Sequence, residues 1–261
     1  MDGMELDYAD TPMIRKEKNG IAWLEFELLQ SFPELSHGVF LKQGGCSQSP
    51  YGGLNTGYDI GDDPEAVKAN LDRIQETLGL PRIDAGRQRH QNHLVEVTPT
   101  PFAQRPECDG LYTNVRGAGL MVKHADCQVG IFYDPVCKVV ATVHSGWRGS
   151  VLNIYAMMIE RLRDRFGCHP ANLHVAISPS LGPQWAEFKN YREELPEAFW
   201  DYQVRPLYFD FWAISRSQLE VCGVLSHHIQ IAEICTYNDK EFFSYRRDKP
   251  TGRNATVAAL L

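Results

Sequence analysis

GLMVKHADCQVGIFYDPVCKVVATVHSGWRGSVLNIYAMMIERLRDRFG, residues Gly119 to Gly167, reads as strand, polar elbow, strand, turn, strand, glycine-rich loop and helix. Gly119–Lys123 is a short apolar run ending at His124-Ala125-Asp126-Cys127. Val129–Tyr133 is rich in β-formers and stops at the turn signal Asp134-Pro135, and Val139–Val143 delivers His144 at its end. Gly146-Trp147-Arg148-Gly149-Ser150 then breaks the strand. Val151, Ile154, Tyr155, Met158, Ile159 and Leu162 recur at helical spacing up to Gly167, a residue suited to the position just past a helix end.

The chemistry of this stretch sits at two strand ends, where a thiol (Cys127) and an imidazole (His144) leave the sheet as neighbours. A glycine-rich loop entering a helix presents unpaired backbone N–H groups to an anion, and Arg148 adds a permanently charged fork. Each feature has a plainer reading: Cys127 as a buried packing residue, His144 as a polar strand cap, the loop as a turn. Their coincidence in one short segment points to a site.

Working outward, Ile21–Glu27 and His37–Leu41 read as strands, the second running into a turn with Lys42 at its base. Pro50–Gly57 is a glycine-rich loop longer than a hairpin needs. Asp63-Pro64 opens a helix with Val67, Leu71, Ile74 and Leu78 on one face and Gly79 at its end. Leu94–Val97 and Leu173–Ile177 are short strands, Phe211–Cys222 a helix and Ile229–Ile234 a strand. Phe242–Asp248 reads as an aromatic strand tipped by Arg246 and Arg247. Mixed strands and helices with hairpin-like neighbours give an α+β class.

Across all 261 residues, 43% are hydrophobic and 23% charged, an ordinary globular balance that supports one domain spanning 1–261, with 1–20 as a loosely packed segment. A net charge of −7 gives no support for nucleic-acid binding. No apolar run reaches membrane-spanning length, and the charged N-terminus lacks the apolar core of a signal peptide. Seven cysteines without CxxC pairs fit reduced thiols and a cytoplasmic location.

Ala125-Asp126-Cys127 and His144-Ser145-Gly146-Trp147-Arg148-Gly149 closely resemble the paired motifs of the laccase-domain (YfiH, polyphenol oxidase-like) family, many of whose members are described as multifunctional purine nucleoside phosphorylases. The likeness extends through His37-Gly38, Gly44-Gly45-Cys46-Ser47, Pro50-Tyr51, Leu54-Asn55 and Gly61-Asp62-Asp63 to Phe243–Asp248 and Thr251-Gly252-Arg253, nearly the whole chain from Ile21. The resemblance implies a four-layer α/β/β/α sandwich with mixed sheets. It also implies a metal site of His90, Cys127 and His144. Spacing alone does not single out His90 among nine histidines. Such a triad suits Zn2+ with a fourth position open, and its sulfur also accepts Cu2+.

The implied activity is zinc-dependent phosphorolysis of adenosine, inosine, guanosine and S-methyl-5′-thioadenosine, with adenosine deamination. The partners are then a small-molecule nucleoside and phosphate. Lys42, Asn55, Arg148 and Arg246 are the candidates for holding substrate and phosphate. Two other enzymes fit the residues: a peptidoglycan-precursor editing hydrolase using Cys127 with a histidine base, and a copper-dependent polyphenol oxidase. A binding module without catalysis is the remaining alternative. The chain departs from the family pattern at Lys42 (arginine), Arg89 (valine), Gln91 (glycine) and His124 (threonine), and at Gln184-Trp185-Ala186-Glu187. These changes cluster where substrate would enter.

Overall fold

A computed structural model describes residues 8–261. Its strands are β1 (Met13–Lys18), β2 (Ile21–Phe26), β3 (Leu35–Phe40), β4 (Arg82–Ala85), β5 (Leu94–Glu96), β6 (Gly110–Thr113) and β7 (Ala118–His124). They continue as β8 (Gln128–Asp134), β9 (Val139–Ser145), β10 (His174–Ile177), β11 (Gln203–Arg205), β12 (Tyr208–Phe209), β13 (Ile229–Ile231) and β14 (Asn254–Leu260). The helices are α1 (Glu27–Gln30), α2 (Pro64–Leu78), α3 (Trp147–Val151), α4 (Ile154–Phe166), α5 (Tyr191–Glu194) and α6 (Phe211–Val221).

Two six-stranded mixed sheets form the centre, one ordered β1-β2-β3-β14-β7-β4 and the other β13-β10-β8-β9-β6-β5. Alternation along each strand divides the residues between two faces. The facing sides bury Leu24, Phe26, Leu120, Ile131, Tyr133 and Val140 against one another. The outer face of the first sheet packs Trp23, Phe40 and Val257 on Ile74 of α2. The outer face of the second packs Phe132 and Val143 on Met158 and Leu162 of α4 and Leu219 of α6. The result is the α/β/β/α sandwich. No helix among the described residues is long and apolar enough to cross a membrane.

Three local readings change. The stretch read as a glycine-rich loop is itself helical, as α3 from Trp147 to Val151, and the helix read from Val151 begins afresh as α4 at Ile154, because Asn153 turns left-handed (φ 51°) and its side chain accepts the Ala156 amide at 3.2 Å. Phe242–Asp248 is a turn and not a strand. The Arg247 guanidinium donates to the carbonyls of Thr236, Tyr237, Asp239 and Phe242 at 2.6–3.0 Å, curling the chain around it. The strand of this region is β14, central in the first sheet between β3 and β7. Within the 1–20 segment, Met13–Lys18 pairs antiparallel with β2 and Tyr8 and Met13 are buried; residues 1–7 lie outside the described residues.

Candidate active site

Twice the chain crosses from the first sheet to the second, and each crossing carries a candidate ligand. The link from β4 to β5 holds His90, and the three residues from β7 to β8 end in Cys127. His144 lies on β9, paired with Val129, so it stands beside Cys127 at the same sheet end. The ligand atoms of His90, Cys127 and His144 lie within 4.8 Å of one another. The two imidazoles meet edge to face with centroids 4.8 Å apart.

Asp109, buried just before β6, organises this cluster. Its Oδ1 is 2.9 Å from His144 Nδ1 and accepts the His90 amide at 2.9 Å, while Oδ2 accepts the amides of Arg89 and Gln91. With Nδ1 engaged, Nε2 of His144 is the nitrogen left for a ligand. Burial alone would raise the Asp109 carboxyl, but His144 and the amides of Gln91 and Arg89 hold it below its usual range. Burial likewise opposes charge on Cys127, yet the neighbouring His144 and His90 bring its thiol down to about 6. Gln88 fixes the His90 link to β7 by a two-way amide clasp with the backbone of Lys123, at 2.6 and 2.9 Å. Gly146 keeps the space clear: a Cβ there would stand 3.1 Å from Cys127 Sγ and 3.3 Å from the His90 ring.

Tetrahedral zinc ligands at bond lengths of about 2.0–2.3 Å lie roughly 3.3–3.8 Å apart, so side-chain shifts of order 1 Å would close this triad on a metal. One thiol of lowered pKa and two imidazoles, one held by a carboxylate, are a suitable donor set.

The triad opens onto a cavity of about 710 Å³ lined by Arg87, Arg89, Lys123 and Arg253 against one carboxylate, Asp59. Arg89 is committed to Glu107 in an exposed ion pair. Burial first, then Arg105, Arg253 and Arg87, push the Lys123 ammonium down to about 8. On the other side of Cys127 a cleft of about 220 Å³ is lined by Trp147, Phe188, Phe211, Tyr245 and Arg246.

The candidates from sequence are therefore divided. His90, Cys127 and His144 come together. Arg246 lines the aromatic cleft, and its backbone amide is held by Asp126. Lys42, Asn55 and Arg148 line neither cavity. Asn55 is fully buried as a clasp that accepts the amides of Gly57 and Arg253 and donates to Asp62. Arg148 is exposed with its guanidinium over the ring of Trp147, 4.4 Å from the centroid. The cavity cations Arg87, Lys123 and Arg253 come from three separate segments. Lys123 carried one signal, a cation inside an apolar strand; Arg253 lay within a motif already matched.

The family model described as multi-copper polyphenol oxidoreductase laccase matches residues 36–261. A protein of Bacteroides thetaiotaomicron named purine nucleoside phosphorylase is 31% identical over 252 residues, covering 86% of this chain and 90% of that one. The purine nucleoside phosphorylase YfiH of Escherichia coli is 32% identical over 230 residues, covering 84% and 90%. The crystal structure of YlmD from Geobacillus stearothermophilus superposes with a TM-score of 0.86 at 30% identity, covering 95% of this chain and 99% of that one.

Proposed function

Since the chain belongs to the laccase-domain family, we propose that it is a zinc-dependent purine nucleoside phosphorylase. Its substrates in this reading are adenosine, inosine, guanosine and S-methyl-5′-thioadenosine, and it also deaminates adenosine. The observation that carries the proposal is the adjacency of the His90–Cys127–His144 triad to a cavity rich in cations. Relatives about 30% identical carry the phosphorylase name.

Phosphorolysis needs an anionic nucleophile beside the ribose C1′ as positive charge develops on the sugar. Arg87, Lys123 and Arg253 bind the phosphate and aim one oxygen at C1′. That oxygen forms the new bond as the glycosidic C–N bond breaks, its electron pair leaving with the purine. Trp147, Phe188, Phe211 and Tyr245 offer aromatic surface for the base on the far side of Cys127. Zinc held by His90, Cys127 and His144 Nε2 would supply a Lewis acid at the site.

The test is release of free purine from inosine and adenosine with and without inorganic phosphate. Wild-type protein should release base only with phosphate. Cys127→Ala should abolish it, and Arg253→Ala should raise the phosphate KM about tenfold or more, the worth of one charged hydrogen bond. Ammonia release from adenosine reads the deaminase activity. Base release independent of phosphate, or none from zinc-loaded protein, would overturn the phosphorylase reading. A His₂Cys donor set also suits copper, so dioxygen uptake on phenols by copper-loaded protein is the second assay.

A further inference from the structure

The hairpin of β8 and β9 carries Cys127 and His144 of the triad at one end. At its other end, about 20 Å away along β8, stands a second cluster that the proposed activity does not use. The ligand atoms of Asp134, Cys137 and Cys168 all lie within 4.8 Å of one another. Asp134 closes β8 and is fully buried, Cys137 sits in the turn that follows, and Cys168 is buried just past Gly167 at the end of α4.

The turn itself makes the geometry. Asp134 Oδ1 accepts the amides of Val136 and Cys137 at 2.8 and 2.9 Å, which folds residue 137 back toward the carboxylate. The other oxygen, Oδ2, is buried with no hydrogen-bond partner. An unsatisfied carboxylate oxygen in an apolar interior is costly, and buried charges are normally paired or bound to metal. Here the carboxylate faces two thiols.

We propose that Asp134, Cys137 and Cys168 form a second zinc site, structural in role, with two sulfurs and one carboxylate oxygen on the ion and water in the fourth position. Thiolate ligands select a borderline-soft divalent ion over magnesium or calcium. Binding replaces the two thiol protons, which pass to solvent, and leaves a site of net charge −1. The ion would pin the β8–β9 turn to the end of α4, two segments otherwise joined through apolar packing.

The experiment uses the full chain, stripped with a chelator and then equilibrated with Zn2+ or Co2+. Cys127→Ala, which removes the sulfur of the triad, should still take up about one equivalent of zinc and show thiolate-to-cobalt absorption. The double variant Cys127→Ala/Cys137→Ser should lose both. Since either variant can perturb folding, alkylation of Cys137 by iodoacetamide in wild-type protein gives an independent readout. Zn2+ should slow it at least about tenfold by tying up the thiolate. Zinc-free Cys127→Ala together with Cys137 alkylation indifferent to zinc would overturn the proposal. So would formation of a Cys137–Cys168 disulfide with oxidised glutathione at a rate that zinc does not change, because that pair would then be a redox couple.

Discussion

Asp109 contributes no ligand atom to the triad, yet four of the bonds that hold the triad in shape end on its carboxylate. Asp109→Asn keeps an oxygen for His144 but turns an NH₂ toward the amides of Arg89 and Gln91, donor against donor. Metal affinity should fall about 10–100-fold, the usual cost of losing a ligand's orienting partner, as read by competition with a chromogenic chelator. Unchanged affinity would remove Asp109 from that role. Lys123 makes a pH prediction. Burial and neighbouring cations lower it to about 8, so it is charged below that pH and neutral above it, whereas arginines remain charged. The phosphate KM of the wild type should rise between pH 7 and 9.5, and Lys123→Arg should flatten the rise. A wild-type KM that stays level would take Lys123 out of the phosphate pocket. Cys127 and His144 were legible as a pair because they border one hairpin. His90 entered through family resemblance, since nothing in its own neighbourhood distinguishes it from His93 or His124.

Loops as units set what the strand ends can do. The glycine-rich loop at 50–57 was open to two readings, and the structure makes it a brace for the cationic cavity. Asn55 ties the amides of Gly57 and Arg253 together at 2.9 and 2.8 Å, joining residues nearly two hundred positions apart. Asn55→Ala leaves these buried amides without an acceptor. It should cost about 1–3 kcal/mol in urea unfolding and raise the phosphate KM through a loosened Arg253. Lost stability with an unchanged KM would confine Asn55 to folding. The break between α3 and α4 belongs to the same scale. Apolar spacing runs through it without interruption, so periodicity alone predicts one helix. The left-handed Asn153 and its cap overrule that pattern, since a short amide side chain offers the backbone a bond that competes with the helix.

The whole sandwich rests on the layer between its sheets, while the triad sits at strand ends. Leu24→Ala, at a fully buried position in that layer, should therefore destabilise the protein by about 2–5 kcal/mol and lower the urea midpoint. Metal stoichiometry of the folded protein should stay at the wild-type value; a loss of metal in step with stability would show that core and site are one cooperative unit. What the sequence determined by itself was local: strand and helix periodicity, the caps at Asp63 and Gly167, the α+β class, and the Cys127–His144 pairing across a hairpin. These follow from side-chain alternation and turn chemistry, which act over a few residues. Only the tertiary structure placed β14 between β3 and β7, turned Phe242–Asp248 around Arg247, and gathered Arg87, Lys123 and Arg253 on one cavity. Those outcomes depend on which distant segments pair and on which carbonyls a half-buried guanidinium finds. No window of neighbouring residues contains that information, because the energy that selects it comes from burying surfaces far apart in the chain against each other.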